Sequence, residues 1–286
     1  MPIVIPEKLP AHIALMRDGI DVQVEPAGPA PISGRPPRET LHIGLVNLAA
    51  DKRPVELYFA RLLGGTPITV RLSLLAPDCD PAELTPPAHL RDCYQRFSST
   101  SRFGFDGLIV AGQPGDSHDE AMSRACLTSC LDWVREAECH TVYVGAIARA
   151  ALNRFHGVTS HAAPPIAPAS GTQQVHEPGS PLLRGMGDAF ALPVRGELRV
   201  DPSDLCASEG LELLAGSRPA GAALISDYDQ DSLYLVHDLP VTHDADATEP
   251  SHAERLLYRN WLAQRRARVR AQANTEFAAL RSSHLG

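Results

Sequence analysis

Four residues in the middle of the chain, Tyr143-Val144-Gly145-Ala146, have the layout of a site for covalent catalysis. An apolar run, TVYV, leads into a sharp turn and then into a helical pattern, AIARAALNRFH, as in a nucleophile elbow. The helix N-terminus behind such a turn lowers the pKa of a thiol and offers backbone N–H donors to an oxyanion. Glycine makes the turn without strain, but it has no atom that can be acylated. The elbow is therefore predicted without its reactive group.

A second strand end of the same kind is the run VAGQP at 110–114. Ligands of open α/β sheets bind beyond the carboxyl ends of the strands. The two strand ends therefore predict one shared site, and we expect Gln113 to contact a substrate there.

The segments around these turns alternate between strand and helix patterns. Strands are predicted at 41–48, 68–75, 105–112 and 141–144, and helices at 55–63, at 119–136 and from the elbow to about Phe155. This alternation predicts an α/β fold, with a mostly parallel sheet covered by helices on both faces.

The remaining segments differ in pattern. Residues 1–40 are rich in Pro and Gly and are predicted to form an extended arm, followed by a single domain over 41–286. Residues 158–205 are dense in Pro, which favours loops and short strands. Two alternating runs flank the turn DYDQD and predict paired strands, and a long helix is predicted from about Ser251 to Leu280.

Composition argues against several classes of partner. A net charge of -8 and a pI of about 5.8 disfavour nucleic acid and anionic membranes. The chain shows no signal-peptide pattern and no apolar run near the ~20 residues of a membrane span. Its six cysteines form no CxxC pair and no metal-ligand cluster, so we expect a reduced, cytoplasmic protein.

Several runs, read in order, resemble the homoserine O-acyltransferase family, often called homoserine O-succinyltransferases. They are MPIVIPEKLPA, LHIGLVNLAADKR, VELYFARLLGGTPITVRLSLL, LTPPAHLRDCYQRF, FDGLIVAGQP and TVYVGAIARAALNRFHGV. The resemblance implies a flavodoxin-like domain of the class I glutamine-amidotransferase type. It also implies ping-pong acyl transfer from acyl-CoA to the homoserine hydroxyl through a cysteine thioester, in methionine or related biosynthesis. Acyl-CoA would be a co-substrate, no cofactor or metal would be bound, and a homodimer would be in keeping with the family.

The family's catalytic positions are changed in this chain. The nucleophilic cysteine corresponds to Gly145, and the family's His-Pro-Glu stretch corresponds to the region LYLVHDLPVTHDAD. Depending on the register, His237, Asp238 or Pro240 stands at the base position, and we assign His237 as the candidate base. Because a nucleophile and its base act as a unit, thioester catalysis is predicted to be lost.

Three further residues are assigned to substrate binding by the resemblance. Arg259, in LLYRNW, corresponds to the arginine that clamps the amino acid carboxylate, a task that suits a guanidinium fork. Asp116 lies where the family distinguishes acyl groups, and Gln113 is close to it in AGQPGD. An acid at position 116 would repel a succinyl carboxylate, so we expect a small neutral acyl group.

Other nucleophiles and ligands are less well supported. Cys126 and Cys130 fall on the apolar stripe of a predicted helix, where cysteine behaves as a small core residue. Cys139 precedes the elbow strand and is interpreted as an incidental residue of the surface or rim. The cluster His243-Asp244-Asp246 has a spacing common in acidic loops, so no metal site is predicted.

Three hypotheses remain open from the sequence. The chain transfers an acyl group by direct attack, with His237 or His243 as base, or it binds ligands without catalysis as a regulatory homologue. In the third hypothesis it has been recruited to a specialised pathway with another acceptor.

Overall fold

The computed structural model describes residues 2–26, 40–79, 84–101, 104–112, 120–137, 139–162, 171–192, 198–206, 208–239 and 249–283. Its strands are β1 Ile3–Pro6, β2 Val22–Glu25, β3 Thr40–Asn47, β4 Thr69–Ala76, β5 Tyr94–Arg96, β6 Gly107–Ala111, β7 Thr141–Val144, β8 His161–Ala162, β9 Thr172–Val175, β10 Ala189–Ala191, β11 Leu198–Arg199, β12 Leu211–Ser217, β13 Gly221–Asp227 and β14 Ser232–Leu235. Its α-helices are α1 Ala11–Arg17, α2 Arg53–Gly64, α3 Pro87–Cys93, α4 Glu120–Glu136, α5 Ala146–His156, α6 Pro202–Leu205 and α7 His252–Ser283.

One large mixed sheet contains twelve of these strands, and β8 and β11 form a separate antiparallel pair. The strand order of the large sheet is β10-β9-β12-β13-β14-β7-β6-β3-β4-β1-β2, and β5 also pairs with β4. In this spatial order, neighbouring strands are parallel along β2-β1-β4-β3-β6-β7-β14. They are antiparallel along β14-β13-β12-β9-β10. The predicted α/β fold with a mostly parallel sheet is confirmed, and the predicted strand pair around DYDQD is β13 with β14.

Helices cover both faces of the sheet, as the sequence predicts. On one face α2 and α7 bring Phe59, Tyr258 and Trp261 into an apolar cluster. On the other face α4 and α5 contribute to a second cluster, with Val134 and Ile147 among its fully buried members. The central strands are apolar on both sides because both sides are covered.

The first residues of the chain differ from the extended arm that the sequence predicts. Within residues 2–26, β1 pairs in parallel with both β4 and β2, and α1 connects the two strands. Ile3, Ile5 and Leu15 are buried in the core, so these residues form one edge of the sheet. The Pro-rich stretch over 27–39 lies outside the described residues.

Two buried histidines link stability to pH. His42 contacts the Ser73 hydroxyl at 2.8 Å and the Gly104 carbonyl at 3.1 Å, and burial lowers its pKa to about 4. His140 accepts a hydrogen bond from the Trp261 indole, and burial lowers its pKa to about 3. Both imidazoles are therefore neutral in the folded chain at pH 7.

We expect the free energy of unfolding to fall as the pH is lowered from about 6.5 towards 4. Unfolded histidine has a pKa of about 6.5, so below that pH the unfolded chain binds more protons than the folded chain. Denaturant titrations across this range measure the slope. His140→Gln should reduce the slope, whereas the same change at the exposed His176 should leave it unaltered. An equal pH dependence of the free energy of unfolding in both variants would contradict the assignment of that dependence to His140.

Candidate functional site

The predicted elbow is present in the structure. β7 ends at Val144, α5 begins at Ala146, and Gly145 between them has φ 65° and ψ -128°. Its N–H donates to the Leu235 carbonyl at 2.8 Å, which ties the turn to the end of β14. A residue with a side chain would adopt this backbone only under strain, so glycine suits the turn.

Asp238 lies against the position where a nucleophile would begin. A Cβ on Gly145 would be 3.0 Å from Asp238 Oδ1 and 3.3 Å from Asp238 Cα. The next nearest described atom, at 3.6 Å, is the carbonyl oxygen of His237. Of the two candidates for the base that the structure describes, His237 and Asp238, it is therefore Asp238 whose side chain faces position 145.

Arg149 holds this carboxylate in place. Its Nη2 donates to Asp238 Oδ1 at 3.0 Å and its Nη1 to the Val236 carbonyl at 2.7 Å. The Arg149 side chain is 9% exposed and that of Asp238 is 26% exposed, so the acid keeps a route to solvent. Arg149 is four residues after Gly145, hence on the same side of α5 as the turn. The charge-assisted hydrogen bond between Arg149 and Asp238 therefore lies directly beside the elbow turn.

The imidazole of His237 is buried beside the elbow. The residue is 8% exposed, and its Nε2 has no hydrogen-bond partner among the described residues. Burial, with the charges of Arg199 and Arg149, lowers the pKa of His237 to about 4. The ring is neutral at pH 7, and its role as a base stays a prediction.

The loop after β3 packs on the end of β6. Gly112 has φ 103°, and a Cβ there would be 2.4 Å from the backbone nitrogen of Ala49. Leu48 N–H donates to the Ala111 carbonyl at 2.8 Å. Since β3, β6 and β7 are parallel neighbours, this loop and Gly145 lie at the same carboxyl edge of the sheet. The candidates Gln113, Asp116, Pro240 and His243 are outside the described residues.

Lys52 is a buried lysine near this edge that the motif reasoning did not single out. It is fully buried in the loop at this edge, and its Nζ donates to the carbonyls of Asn47 at 2.5 Å and Ala49 at 3.2 Å. Its Nζ also lies 5.6 Å from the ring centroid of Tyr94. The chain has only one other lysine, Lys8, and that scarcity was the available signal.

The structure does not bring Arg259 to the elbow. Arg259 is exposed and lines a cavity of about 690 Å³ together with Gly64–Pro67 and Arg255. Those residues join the end of α2 to the start of β4, which is the amino edge of the parallel strands. Gly145 follows the carboxyl end of β7, so the two predicted site residues lie at opposite edges of the sheet.

None of the three cysteines considered as substitutes lies at the elbow turn. Cys126 and Cys130 are buried on α4, and Cys130 packs in the apolar cluster beneath that helix. Burial raises the pKa of Cys139 to about 12, which keeps its thiol protonated. All three are therefore poor nucleophiles in this fold.

Metal-ligand side chains do not cluster in the described part of the chain. No group of three or more of them occurs there, and His243-Asp244-Asp246 lies outside the described residues. Among the described helices, none is both long enough and apolar enough to cross a membrane.

Solved structures place the fold in a known class. The chain is similar to a putative GMP synthase subunit from Thermoplasma acidophilum, with a TM-score of 0.54 and 14% identity, covering 82% of this chain and 98% of that one. It is also similar to the glutaminase domain of Trypanosoma brucei CTPS with bound acivicin, with a TM-score of 0.50 and 14% identity, covering 80% and 94%. The sheet thus has an α/β fold of the glutamine-amidotransferase-like class.

Sequence comparison identifies the family within that class. The homoserine O-acetyltransferase of Chelativorans sp. (strain BNC1) is 32% identical over 297 residues, covering 92% of this chain and 93% of the relative. That of Roseobacter denitrificans (strain ATCC 33942 / OCh 114) is 34% identical over 237 residues, covering 82% and 76%. The homoserine O-succinyltransferase family profile matches residues 2–245. This chain belongs to the homoserine O-acyltransferase family.

Proposed function

We propose that the chain binds the small-molecule ligands of its family without forming an acyl-enzyme at position 145. The observation that carries this proposal is the Asp238 carboxylate, which stands 3.0 Å from the place of an elbow Cβ and is paired with Arg149. A carboxylate held by a guanidinium there replaces the thiol and imidazole of a thioester route. Position 145 itself supplies no atom to acylate.

The rate losses expected when a nucleophile is removed support the loss of the thioester route. Removing an activated nucleophile costs about 10⁶ in kcat, and removing its partners afterwards adds little. The helix N-terminus behind Gly145 would leave a residual acceleration of about 10³ over water. Covalent acyl transfer at the elbow is therefore negligible beside that of a cysteine-bearing relative.

A second candidate function is direct acyl transfer without a covalent intermediate. Asp238 is the observation that favours it, because its partly exposed carboxylate could take the proton of an acceptor hydroxyl at the elbow. Acyl-CoA and the acceptor would then be bound together, and His237 or His243 is an alternative base. The acceptor is homoserine by family membership, or another amino acid if the chain serves a specialised pathway.

The remaining assignments are part of the same proposal. Gln113 and Asp116 would contact the acyl group, and the acid at 116 favours acetyl over succinyl. The acetyltransferase names of the relatives support that preference. Arg259 would serve the elbow only if a ligand spanned both edges of the sheet. We place the protein in the cytoplasm and in methionine or related sulfur amino-acid biosynthesis, as a homodimer without a bound cofactor.

Ligand binding and CoA release, measured on the same protein, test the proposal. We expect acetyl-CoA or homoserine to raise the melting temperature, while CoA release with both ligands stays at the rate of the uncatalysed control. Turnover in which each substrate alters the apparent affinity for the other would favour direct transfer. Parallel-line ping-pong kinetics, or an acyl group on the natural chain, would contradict both functions.

Asp238→Asn and Asp132→Asn make a matched pair for that experiment. Both carboxylates accept a hydrogen bond from an arginine, but Asp132 lies on α4, its side chain is 46% exposed, and it pairs with Arg154. If the elbow is the binding site, Asp238→Asn should change the ligand-induced shift in melting temperature and Asp132→Asn should not. Equal shifts would place the binding elsewhere.

A further inference from the structure

A second set of catalytic residue types lies three strands away from the elbow. His89 and Cys93 are on α3, and Glu56 is on α2. The Cys93 sulfur is 3.8 Å from His89 Nδ1, and His89 Nε2 is 2.8 Å from Glu56 Oε1 and 3.1 Å from Glu56 Oε2. The imidazole thus lies between a thiol and a carboxylate, with one ring nitrogen facing each.

Local structure explains this arrangement. His89 and Cys93 are four residues apart on one helix, so their side chains lie on the same face. Glu56 faces them from the first turns of α2, and Tyr94 donates to its Oε1 at 2.6 Å. Two donors therefore orient the carboxylate, and the carboxylate orients the ring.

The charges of the set are mutually compensated. Glu56 is 1% exposed, and a buried carboxylate requires a partner of opposite charge or several donors. The contacts with Cys93 and Glu56 raise the pKa of His89 to about 10, so the ring is an imidazolium at pH 7. Its Nε2–H donates to Glu56, and its Nδ1–H is directed at the sulfur.

We propose that Cys93 is an activated thiol that small hydroperoxides oxidise, with His89 as proton donor and Glu56 as the positioning residue. The sulfur attacks one peroxide oxygen, and the O–O bond breaks. The leaving hydroxide takes the Nδ1 proton of His89 and becomes water, and the thiol proton passes to His89 in its place. Cysteine loses two electrons to give the sulfenic acid, and the peroxide gains them.

The burial of Cys93 limits the size of the electrophile that can reach its sulfur. Cys93 is 2% exposed and the His89 side chain is 8% exposed, so a large donor such as a CoA thioester has no path to the sulfur in this conformation. Hydrogen peroxide is only slightly larger than water. The site is therefore distinct from the elbow, and it stands whether or not the proposed ligand binding is correct.

Oxidation of Cys93 would alter contacts that extend to the carboxyl edge of the sheet. An added oxygen would replace the Cys93–His89 contact and crowd the turn into Tyr94. The Tyr94 hydroxyl accepts a hydrogen bond from Asn47 Nδ2 at 2.9 Å, and Asn47 Nδ2 also donates to the Lys52 carbonyl. The modification is thus linked to the loop that packs on Gly112.

Peroxide treatment of the reduced full chain tests the proposal; the chain is then denatured in the presence of dimedone, which labels sulfenic acids, and each cysteine is followed by peptide mapping. Cys206 is an exposed internal reference, and its sulfur lies 3.9 Å from the Pro202 carbonyl of its own helix. We expect Cys93 to be labelled faster than Cys206 at pH 6.

His89→Asn should slow labelling of Cys93 at least about ten-fold at pH 6. His176→Asn, at an exposed histidine, is the matched control and should leave the rate unchanged. Labelling of Cys206 without Cys93, or an unaltered rate in His89→Asn, would overturn the proposal. If His89→Asn does not fold, the relative labelling of Cys93 and Cys206 in the natural chain decides alone.

Discussion

A double variant, Gly145→Cys with Asp238→His, is expected to take up an acyl group from acetyl-CoA, whereas the natural chain is not. The first change restores an atom that can form a thioester at the N-terminus of α5. The second places an imidazole where the carboxylate lies against position 145. Because nucleophile and base act together, the gain in acylation rate should reach several orders of magnitude. Intact-protein mass spectrometry and a burst of CoA release measure it.

Gly145→Cys alone should gain much less. Its Cβ would be 3.0 Å from Asp238 Oδ1, at a φ of 65° that strains any residue with a side chain. The nearby carboxylate also disfavours a thiolate. Gly145→Ala with Asp238→His controls for the backbone change and should take up no acyl group. Acylation of the natural chain, or its absence in a folded double variant, would show that Asp238 is not the obstacle.

Trp261→Ala is expected to lower the free energy of unfolding by about 3–5 kcal/mol. The indole is fully buried, and it packs so closely on Gly107 that a Cβ there would be 2.8 Å from the ring. Truncation leaves a cavity beneath β6 and removes the N–H that His140 Nδ1 accepts at 2.9 Å. Urea denaturation at pH 7 measures the loss.

Two further variants separate the causes of that loss. Trp261→Phe keeps most of the packing but leaves the buried His140 nitrogen without its donor, so about 1–3 kcal/mol should be lost. Ile13→Ala removes apolar atoms from a residue that is 69% exposed and should have little effect. A loss below about 1 kcal/mol in Trp261→Ala would mean that α7 is not part of the folded core.

Much of the fold was predictable because its signals are local. The runs at 41–48, 105–112 and 141–144 are mostly apolar, and they contain strands that are buried on both faces of the sheet. The strand–turn–helix pattern around Gly145 likewise predicted the elbow, since a positive φ at that turn favours glycine. The segment before residue 27 was not predicted, because β1 and β2 are short strands that depend on pairing with β4.

The site was less predictable, because its contacts join distant parts of the chain. The sequence offered His237, Asp238 and Pro240 for one position, and only the end of β14 beside α5 determined that Asp238 faces Gly145. A register that differs by one residue turns a side chain to the other side of a strand end, and residue type does not reveal that register.

The sequence by itself determined the family, the α/β class and the absence of a thiol at the elbow, because each depends on residue identity in order along the chain. The tertiary structure alone decided that Arg259 lies at the edge opposite the elbow, and that Glu56 reaches His89 from another helix. Those relations depend on how strands and helices pack in space, and packing is set by many residues together.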